Sequence, residues 1–167
     1  LLTDGQCQFD GEHYQIDISG NNRLGPEVPV PPPLIGSVGG PRGIREVSPL
    51  VDRVEIKASS RGTRGGSLDI PLLATVTQDE IHQSVERVKA VAPDTPISIF
   101  LMISAGESKV INDTRAMFGD GFLGRFHGHP ETVSDALESL GTIGIDRVQL
   151  TEMIPGSQEA LAPVLLA

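Results

Sequence analysis

The segment from 128 to 150, GHPETVSDALESLGTIGIDRVQL, constrains the fold of this chain more than any other. Pro130 suits the first turn of a helix, where its missing N–H costs nothing, and Glu131 complements the positive end of the helix dipole. The apolar residues that follow are spaced as on one buried helical face: Val133, Ala136, Leu137 and Leu140. A glycine-bracketed exit then leads into a strand predicted over 145–150. The segment therefore predicts the helix-then-strand half of a parallel βα unit.

Three further segments predict strands that alternate with helices. The run ISIFLMI at 97–103 is continuously apolar and rich in β-branched residues, which is typical of a strand buried on both faces of a parallel sheet. The other two strands are predicted over 33–38 and 51–56. Right-handed βα repetition builds an open doubly wound sheet or a (β/α)8 barrel, and a full barrel needs about 250 residues. We therefore predict an α/β fold whose four parallel strands amount to half of a TIM barrel.

Helices are predicted between and after these strands. A short helix is expected over 44–50, another over about 107–118, and a last one from Ser157 as N-cap to Leu166. Thr77 and Glu80 have the spacing of a capping box, so a further helix should begin there. The buried face of this helix is predicted to carry Ile81, Val85 and Val88. The buried face of the last helix is predicted to carry Leu161, Val164 and Leu165.

The first 32 residues differ in composition from the rest. A D-G turn between short alternating runs predicts a hairpin, and the consecutive prolines that follow forbid helix and favour an extended connector. We expect one partial-barrel domain over 1–167, with the irregular part at 1–32 and four βα units over 33–167. Because the chain begins with Leu1, we expect it to be processed or to be part of a longer protein.

Composition excludes several classes of protein. The 167 residues, 38% hydrophobic and 21% charged, are typical of one folded domain with a core. The net charge of −9 argues against a nucleic-acid partner, which needs a basic face. The single cysteine, Cys7, excludes an internal disulfide and favours the reducing cytoplasm. No apolar run approaches the roughly 20 residues of a membrane span, so no membrane association is expected.

Several motifs, in this order, resemble the luciferase-like flavin- and deazaflavin-dependent oxidoreductases. The motifs are F-x-G-x-H-Y at 9–14, P-x-P-P-P-L-I-G-x-x-G-P-R at 29–42, VDRVEI at 51–56, the loop G-H-P-E followed by G-I-D-R-V at 128–148, and E-A-L-A-P-V-L at 159–165. The resemblance places the chain in the C-terminal half of the family's barrel. It implies an oxidoreductase or monooxygenase module that uses a deazaflavin (coenzyme F-420) or FMN and acts on a small molecule.

The family's first four βα units have no counterpart in this chain. The resemblance therefore implies completion by a second copy, as a homo-oligomer, or by a missing N-terminal half. Two other functions stay open: a non-catalytic half-barrel fragment or assembly subunit, and a phosphate-binding βα enzyme unrelated to flavin. Whether this chain alone is an enzyme is left uncertain, and catalytic residues are not predicted.

The loop GSVGGPRG at 36–43 joins a predicted strand to a predicted helix. Glycines let backbone N–H groups approach a phosphate, and a helix N-terminus adds favourable potential. The competing interpretation is a tight turn that needs glycine only for its conformation. With the family resemblance, the predicted cofactor-binding residues are Gly36, Ser37, Gly39, Gly40 and Arg42.

Other chemistry-bearing residues give weaker signals. His127 and His129 flank a glycine without a recognised metal-ligand spacing, so no metal site is predicted. The basic segment 59–67 is either a mobile loop over a site or disordered without function. Residues at the ends of two strands are further pocket candidates: Glu55, Lys57, Gln149, Thr151 and Glu152.

Overall fold

The computed structural model describes residues 4–20, 30–62 and 66–166. The chain divides into two compact units, which meet in sequence between Leu34 and Ile35. The first unit contains β1 (Cys7–Asp10) and β2 (Gln15–Ile18). The second contains, in order, β3 (Ile35–Val38), α1 (Pro41–Val47), β4 (Arg53–Ile56), α2 (Ile70–Ala74), α3 (Gln78–Val91), β5 (Ile97–Ala105), α4 (Lys109–Phe118), β6 (His127–Gly128), α5 (Pro130–Thr142), β7 (Arg147–Glu152) and α6 (Ser157–Leu165).

The first unit is the predicted antiparallel hairpin. Side chains alternate along it, so that Phe9 and Ile16 pair on an apolar face while polar residues pair on the other. The Phe9 ring lies over Gly11, where an added Cβ would come within 2.5 Å of it, and Phe9 itself is exposed. Most of the Pro-rich connector, at 21–29, lies outside the described residues.

The second unit is built on a parallel sheet with β5 at its centre. Backbone groups of Pro96 and Gly106 point from one edge of β5 toward β4 and β6, whereas those of Ile97 and Ile103 point from the opposite edge toward β7. The strand order is therefore β3-β4-β5-β7, with β6 extending the edge already used by β4. Both β3 and β7 lie at edges of this sheet.

The two faces of the sheet differ in burial. One face packs against the helices and is fully apolar at its centre, with Val54, Ile99 and Leu101 completely buried. On the other face Ile35 is 57% exposed and Phe100 is 38% exposed. Parallel sheets are almost always covered on both faces, whereas this second face mixes exposed apolar residues with polar ones such as Ser37, Glu55 and Gln149.

The amino ends of three strands are joined by Asp146. Its backbone N–H donates to the carbonyl of Ile97 at 3.0 Å, and its carboxylate accepts from the N–H of the same residue at 3.0 Å. The same carboxylate pairs with the guanidinium of Arg53 on β4. Two motifs quoted for the family resemblance, VDRVEI and GIDRV, thus meet in one ion pair at the amino edge of the sheet.

The structure confirms the parallel α/β class, and it corrects several element boundaries. α1 begins at Pro41 rather than 44, because proline with its fixed φ suits the first helical position, and 48–50 form a 3₁₀ turn instead. The last strand begins two residues later than predicted. Gly156 rather than Ser157 is the N-cap of α6, and Leu165, predicted to point inward, is 43% exposed. A closed barrel is not shown.

The predicted helix of the 128–150 segment is confirmed in detail. α5 begins at Pro130, and every apolar residue assigned to its inner face is buried. The capping box between Thr77 and Glu80 is also present, with both reciprocal hydrogen bonds formed. Within the described residues, no helix combines the length and apolar character needed to cross a membrane.

Candidate functional site

A cavity of about 210 Å³, called here the apolar cavity, lies beside the carboxyl end of β4 and the middle of β5. Its walls come from β4, β5, α2 and the 3₁₀ turn Leu123–Phe126, so residues far apart in sequence meet there. The lining residues are Glu55, Lys57, Ala58, Ser59, Leu68, Leu73, Phe100, Leu101, Met102 and Leu123. Open α/β sheets bind ligands at this end of the strands.

Polar groups of the apolar cavity are restricted to one side. Glu55 faces away from the helices on β4, and the hydroxyl of Ser37 on β3 donates to its carboxylate at 3.0 Å. Lys57 follows the end of β4, where its backbone N–H donates to the carbonyl of Val38 at 2.8 Å. The cavity therefore presents one carboxylate and one ammonium against an apolar wall that includes Phe100 and Met102.

A second cavity, of about 470 Å³, lies on the other side of residues 57–59 and is called here the cationic cavity. It is bounded by the loop after β3, the segment after β4, and one face of α3. Its lining residues are Gly39, Lys57, Ala58, Ser59, Ser60, Arg61, Leu72, Thr75, Val76, Glu80, Gln83, Ser84 and Arg87. Lys57, Ala58 and Ser59 line both cavities.

The structure separates the five residues predicted to bind a cofactor. Gly36 lies within β3, where an added Cβ would come within 2.6 Å of a methyl carbon of Val47, so close packing accounts for this glycine. Ser37 is directed to Glu55 on the opposite face of the sheet. Gly39 lines the cationic cavity, and Gly40 beside it is the N-cap of α1. Their predicted role in phosphate binding stays a prediction.

Arg42 points away from the predicted phosphate loop. Its Nε donates to both carboxylate oxygens of Glu46, each at 3.1 Å, one turn further along α1. This hydrogen bond lowers the pKa of Glu46. Since the Arg42 side chain is 84% exposed, the pair lies on the surface of the helix.

Lys57, Arg61 and Arg87 are the basic residues that line the cationic cavity. The position of Lys57 after a strand predicts that it lines a pocket. Arg87 was not predicted from the sequence. A signal for Arg87 exists, because it lies three residues after Ser84 and seven after Glu80 on one face of α3, and all three line the cationic cavity.

Two buried polar side chains lie where β5 pairs with β6. Ser104 and His127 face each other across the two strands and are at most 1% exposed. Within the described parts of the chain, the hydroxyl of Ser104 and Nδ1 of His127 have no hydrogen-bond partner. The imidazole stacks on Phe118 with centroids 4.5 Å apart, and burial lowers its pKa to about 4.

His129, in contrast, is exposed and charged groups surround it. Its Nε2 lies 2.8 Å from a carboxylate oxygen of Glu107, and its Nδ1 contacts Glu131. The hydrogen bond with Glu107 is the main cause that raises the pKa of His129. His127 and His129 therefore occupy opposite environments, and the residues described contain no group of three His, Cys, Asp or Glu arranged to hold a metal.

The candidates on β7 have different roles. The carboxylate of Glu152 accepts from the backbone N–H of Gln158 at 3.2 Å, so it caps the first turn of α6. Gln149 and Thr151 are exposed on the face of the sheet that carries Phe100.

The fold and its cavities define a parallel α/β protein with ligand-sized space at the carboxyl edge of the sheet. No protein-family model matches the chain, and no curated protein matches it in sequence. Among solved structures it is similar to an F420-dependent secondary alcohol dehydrogenase in complex with an F420-acetone adduct, with a TM-score of 0.57 and 14% identity over 95% of this chain and 54% of that one.

The chain is also similar to the crystal structure of apo-MsnO8. The TM-score is 0.58 and the identity 12%, over 87% of this chain and 55% of that one. At such identities the similarity shows the fold alone. The chain spans about half the length of these two structures.

Proposed function

We propose that this chain is a module of a luciferase-like oxidoreductase that works with a flavin-type cofactor, a deazaflavin or FMN. The observation that carries the proposal is the apolar cavity beside the carboxyl end of β4, in a fold shared with an F420-dependent dehydrogenase over 95% of this chain. The quoted sequence motifs support the same family. A reducing cytoplasm, favoured by the single cysteine, is part of the proposal.

The cavity suits the planar part of such a cofactor. Phe100, Met102 and Leu123 offer an apolar wall for the ring. In the proposal, backbone N–H groups of Gly39 and Gly40 contact the phosphate. When bound, the cofactor would supply hydride or oxygen chemistry, while these residues would orient its ring and exclude water.

The apolar cavity is too small to be the whole site. Ligand pockets usually enclose about 300–1,000 Å³, and this one encloses about 210 Å³. On the sheet face beside it Ile35 and Phe100 are exposed among the described residues, and β3 and β7 are edge strands. We therefore include in the proposal that a second copy of the chain or a separate N-terminal half supplies the missing wall.

A fluorescence titration with the deazaflavin and with FMN tests this function on the purified chain. We expect saturable binding of one of them, and we expect Phe100→Asp to abolish it because a charge would enter the apolar wall. The matched control is Val110→Asp, which places the same charge at a residue of α4 that is 55% exposed. If neither cofactor binds, with or without an added N-terminal half from a related barrel, the proposed function is wrong.

A second candidate is a non-catalytic half-barrel that acts as an assembly subunit. The exposure of Ile35 and Phe100 on one sheet face favours it, because such a face also suits a protein interface. It predicts association without binding of either cofactor. The phosphate-binding enzyme unrelated to flavin predicts binding of phosphate esters without binding of the ring.

A further inference from the structure

Three basic side chains line the cationic cavity. They belong to Lys57, Arg61 and Arg87, and none of these side chains forms a hydrogen bond or an ion pair with any described residue. Several other basic side chains are paired, as Arg42 is with Glu46 and Lys109 with Asp113, whereas Arg115 and Arg147 have no partner among the described residues and line neither cavity. Although the chain has a net charge of −9, three unpaired cations thus line one cavity.

The acid in the same cavity does not neutralise them. Glu80 is the one carboxylate among the described lining residues, and its Oε2 accepts from the backbone N–H of Thr77 at 2.9 Å and from the Thr77 hydroxyl at 3.2 Å. The capping box therefore fixes this carboxylate at the start of α3. The lining residues carry three positive charges and one negative charge, an excess of two positive charges.

The hydroxyl groups that line the cationic cavity make it polar without adding negative charge. The hydroxyl of Thr75 donates to the carbonyl of Leu72 at 2.8 Å, and that of Ser84 donates to the carbonyl of Glu80 at 2.9 Å. Their oxygens can still accept hydrogen bonds from water or from hydroxyl groups of a ligand. The loop after β3 approaches closely, because Gly39 leaves space that a Cβ would take within 2.7 Å of Ser60.

We propose that the cationic cavity binds the phosphate group of a small ligand, with Arg61 and Arg87 as the principal contacts and Lys57 as the third charge. Guanidinium groups bind phosphate oxygens in a bidentate manner, and a dianion relieves the mutual repulsion of the three cations. A volume of about 470 Å³ exceeds what a phosphate alone needs, so the phosphate would belong to a larger molecule. This site is separate from Arg42, and it stands whether or not the ligand is a flavin-type cofactor.

Inorganic phosphate is the probe, titrated into ¹⁵N-labelled chain at constant ionic strength set with sodium chloride. Saturable shifts are expected at the amides of 57–61 and at the Nε of Arg87. The double substitution Arg61→Gln with Arg87→Gln should weaken binding roughly 100-fold, about tenfold for each charged hydrogen-bond donor removed. Circular dichroism confirms that the variant is folded.

The control variants are Arg42→Gln and Lys89→Gln. Arg42 is paired with Glu46, and Lys89 on the same helix as Arg87 donates to the carbonyls of Pro93 and Thr95, so neither should change the affinity. No saturable shift in the unsubstituted chain would overturn the proposal, and so would a loss on Arg42→Gln that equals the loss in the double variant. Phosphate binding here without binding of deazaflavin or FMN would uphold this site and refute the proposed function.

Discussion

At the level of single residues, the place of a side chain was more predictable at the end of a strand than on a helix. Lys57 was a candidate because it follows a strand, and it does line both cavities. Arg42 was chosen because arginine suits phosphate, but a glutamate four residues later on the same helix holds its guanidinium. The end of a parallel strand is fixed by the sheet, whereas the direction of a long side chain depends on its neighbours.

His127 gives a prediction about acid stability. Its pKa is lowered from 6.5 to about 4 by burial, so between these values the unfolded chain binds a proton that the folded chain does not. The stability due to neutral His127 is complete above pH 6.5 and is lost as the pH falls toward 4, by about 3 kcal/mol in all. Urea unfolding at a series of pH values measures this loss.

The substitution His127→Phe keeps the stacking on Phe118 and removes the titration. We expect its free energy of unfolding to fall less than that of the unsubstituted chain between pH 6.5 and pH 4.5. Parallel pH profiles for the unsubstituted chain and His127→Phe would contradict the assignment.

At the level of elements, long periodic segments were predictable and short ones were not. The spacing of the apolar residues from Val133 to Leu140 predicted α5, because four apolar residues at helical spacing form one buried face of a helix. α2 has five residues and β6 has two, which is too few for any period to show. β6 exists because His127 and Gly128 pair with β5, a contact between residues more than 20 positions apart that local sequence does not encode.

The glycines of the loop after β3 give a second prediction, because Gly36 and Gly40 differ in surroundings. An added Cβ at Gly36 would meet Val47 and Val51, within 2.6 Å and 3.0 Å, whereas at Gly40 it would meet nothing within 4 Å. Gly36→Ala should therefore destabilise the fold by about 1–3 kcal/mol through overpacking. Gly40→Ala should destabilise the fold by at most about 1 kcal/mol, because alanine is a poorer N-cap than glycine but meets no steric clash, as measured by urea unfolding. Equal effects would show that packing does not explain Gly36.

Asp146 gives a prediction for the amino edge of the sheet. Its carboxylate accepts from the N–H of Ile97 and pairs with Arg53, so Asp146→Ala removes contacts that join β4, β5 and β7. We expect a loss of about 2–3 kcal/mol, since a hydrogen bond to a charged group and its buried donor are both affected. Asp94→Ala, at an exposed turn residue, is the control and should change stability little. If Asp146→Ala lowers the free energy of unfolding no more than Asp94→Ala does, the contacts of Asp146 do not stabilise the sheet.

At the level of the whole molecule, the sequence predicted the class of fold but left its completion open. Alternating strands and helices define a parallel α/β protein, and the described strands β3, β4, β5 and β7 follow the predicted order. Closure depends on what covers the second sheet face, and no pattern within this chain specifies a partner's surface. The two solved structures to which the chain is similar are about twice as long as the part it covers.

The exposed sheet face therefore gives a prediction about association. If a second copy covers it, the chain should sediment above its monomer mass of 17.7 kDa, and Phe100→Lys should return it to that mass by placing a charge in the interface. Val110→Lys, on α4 and 55% exposed, should leave the assembly intact. A chain that stays monomeric at all concentrations would refute the second copy as the cover. An N-terminal half would then be the remaining candidate for the cover. Ile35 and Phe100 are exposed, and their apolar surface is removed from water only when another surface packs on it.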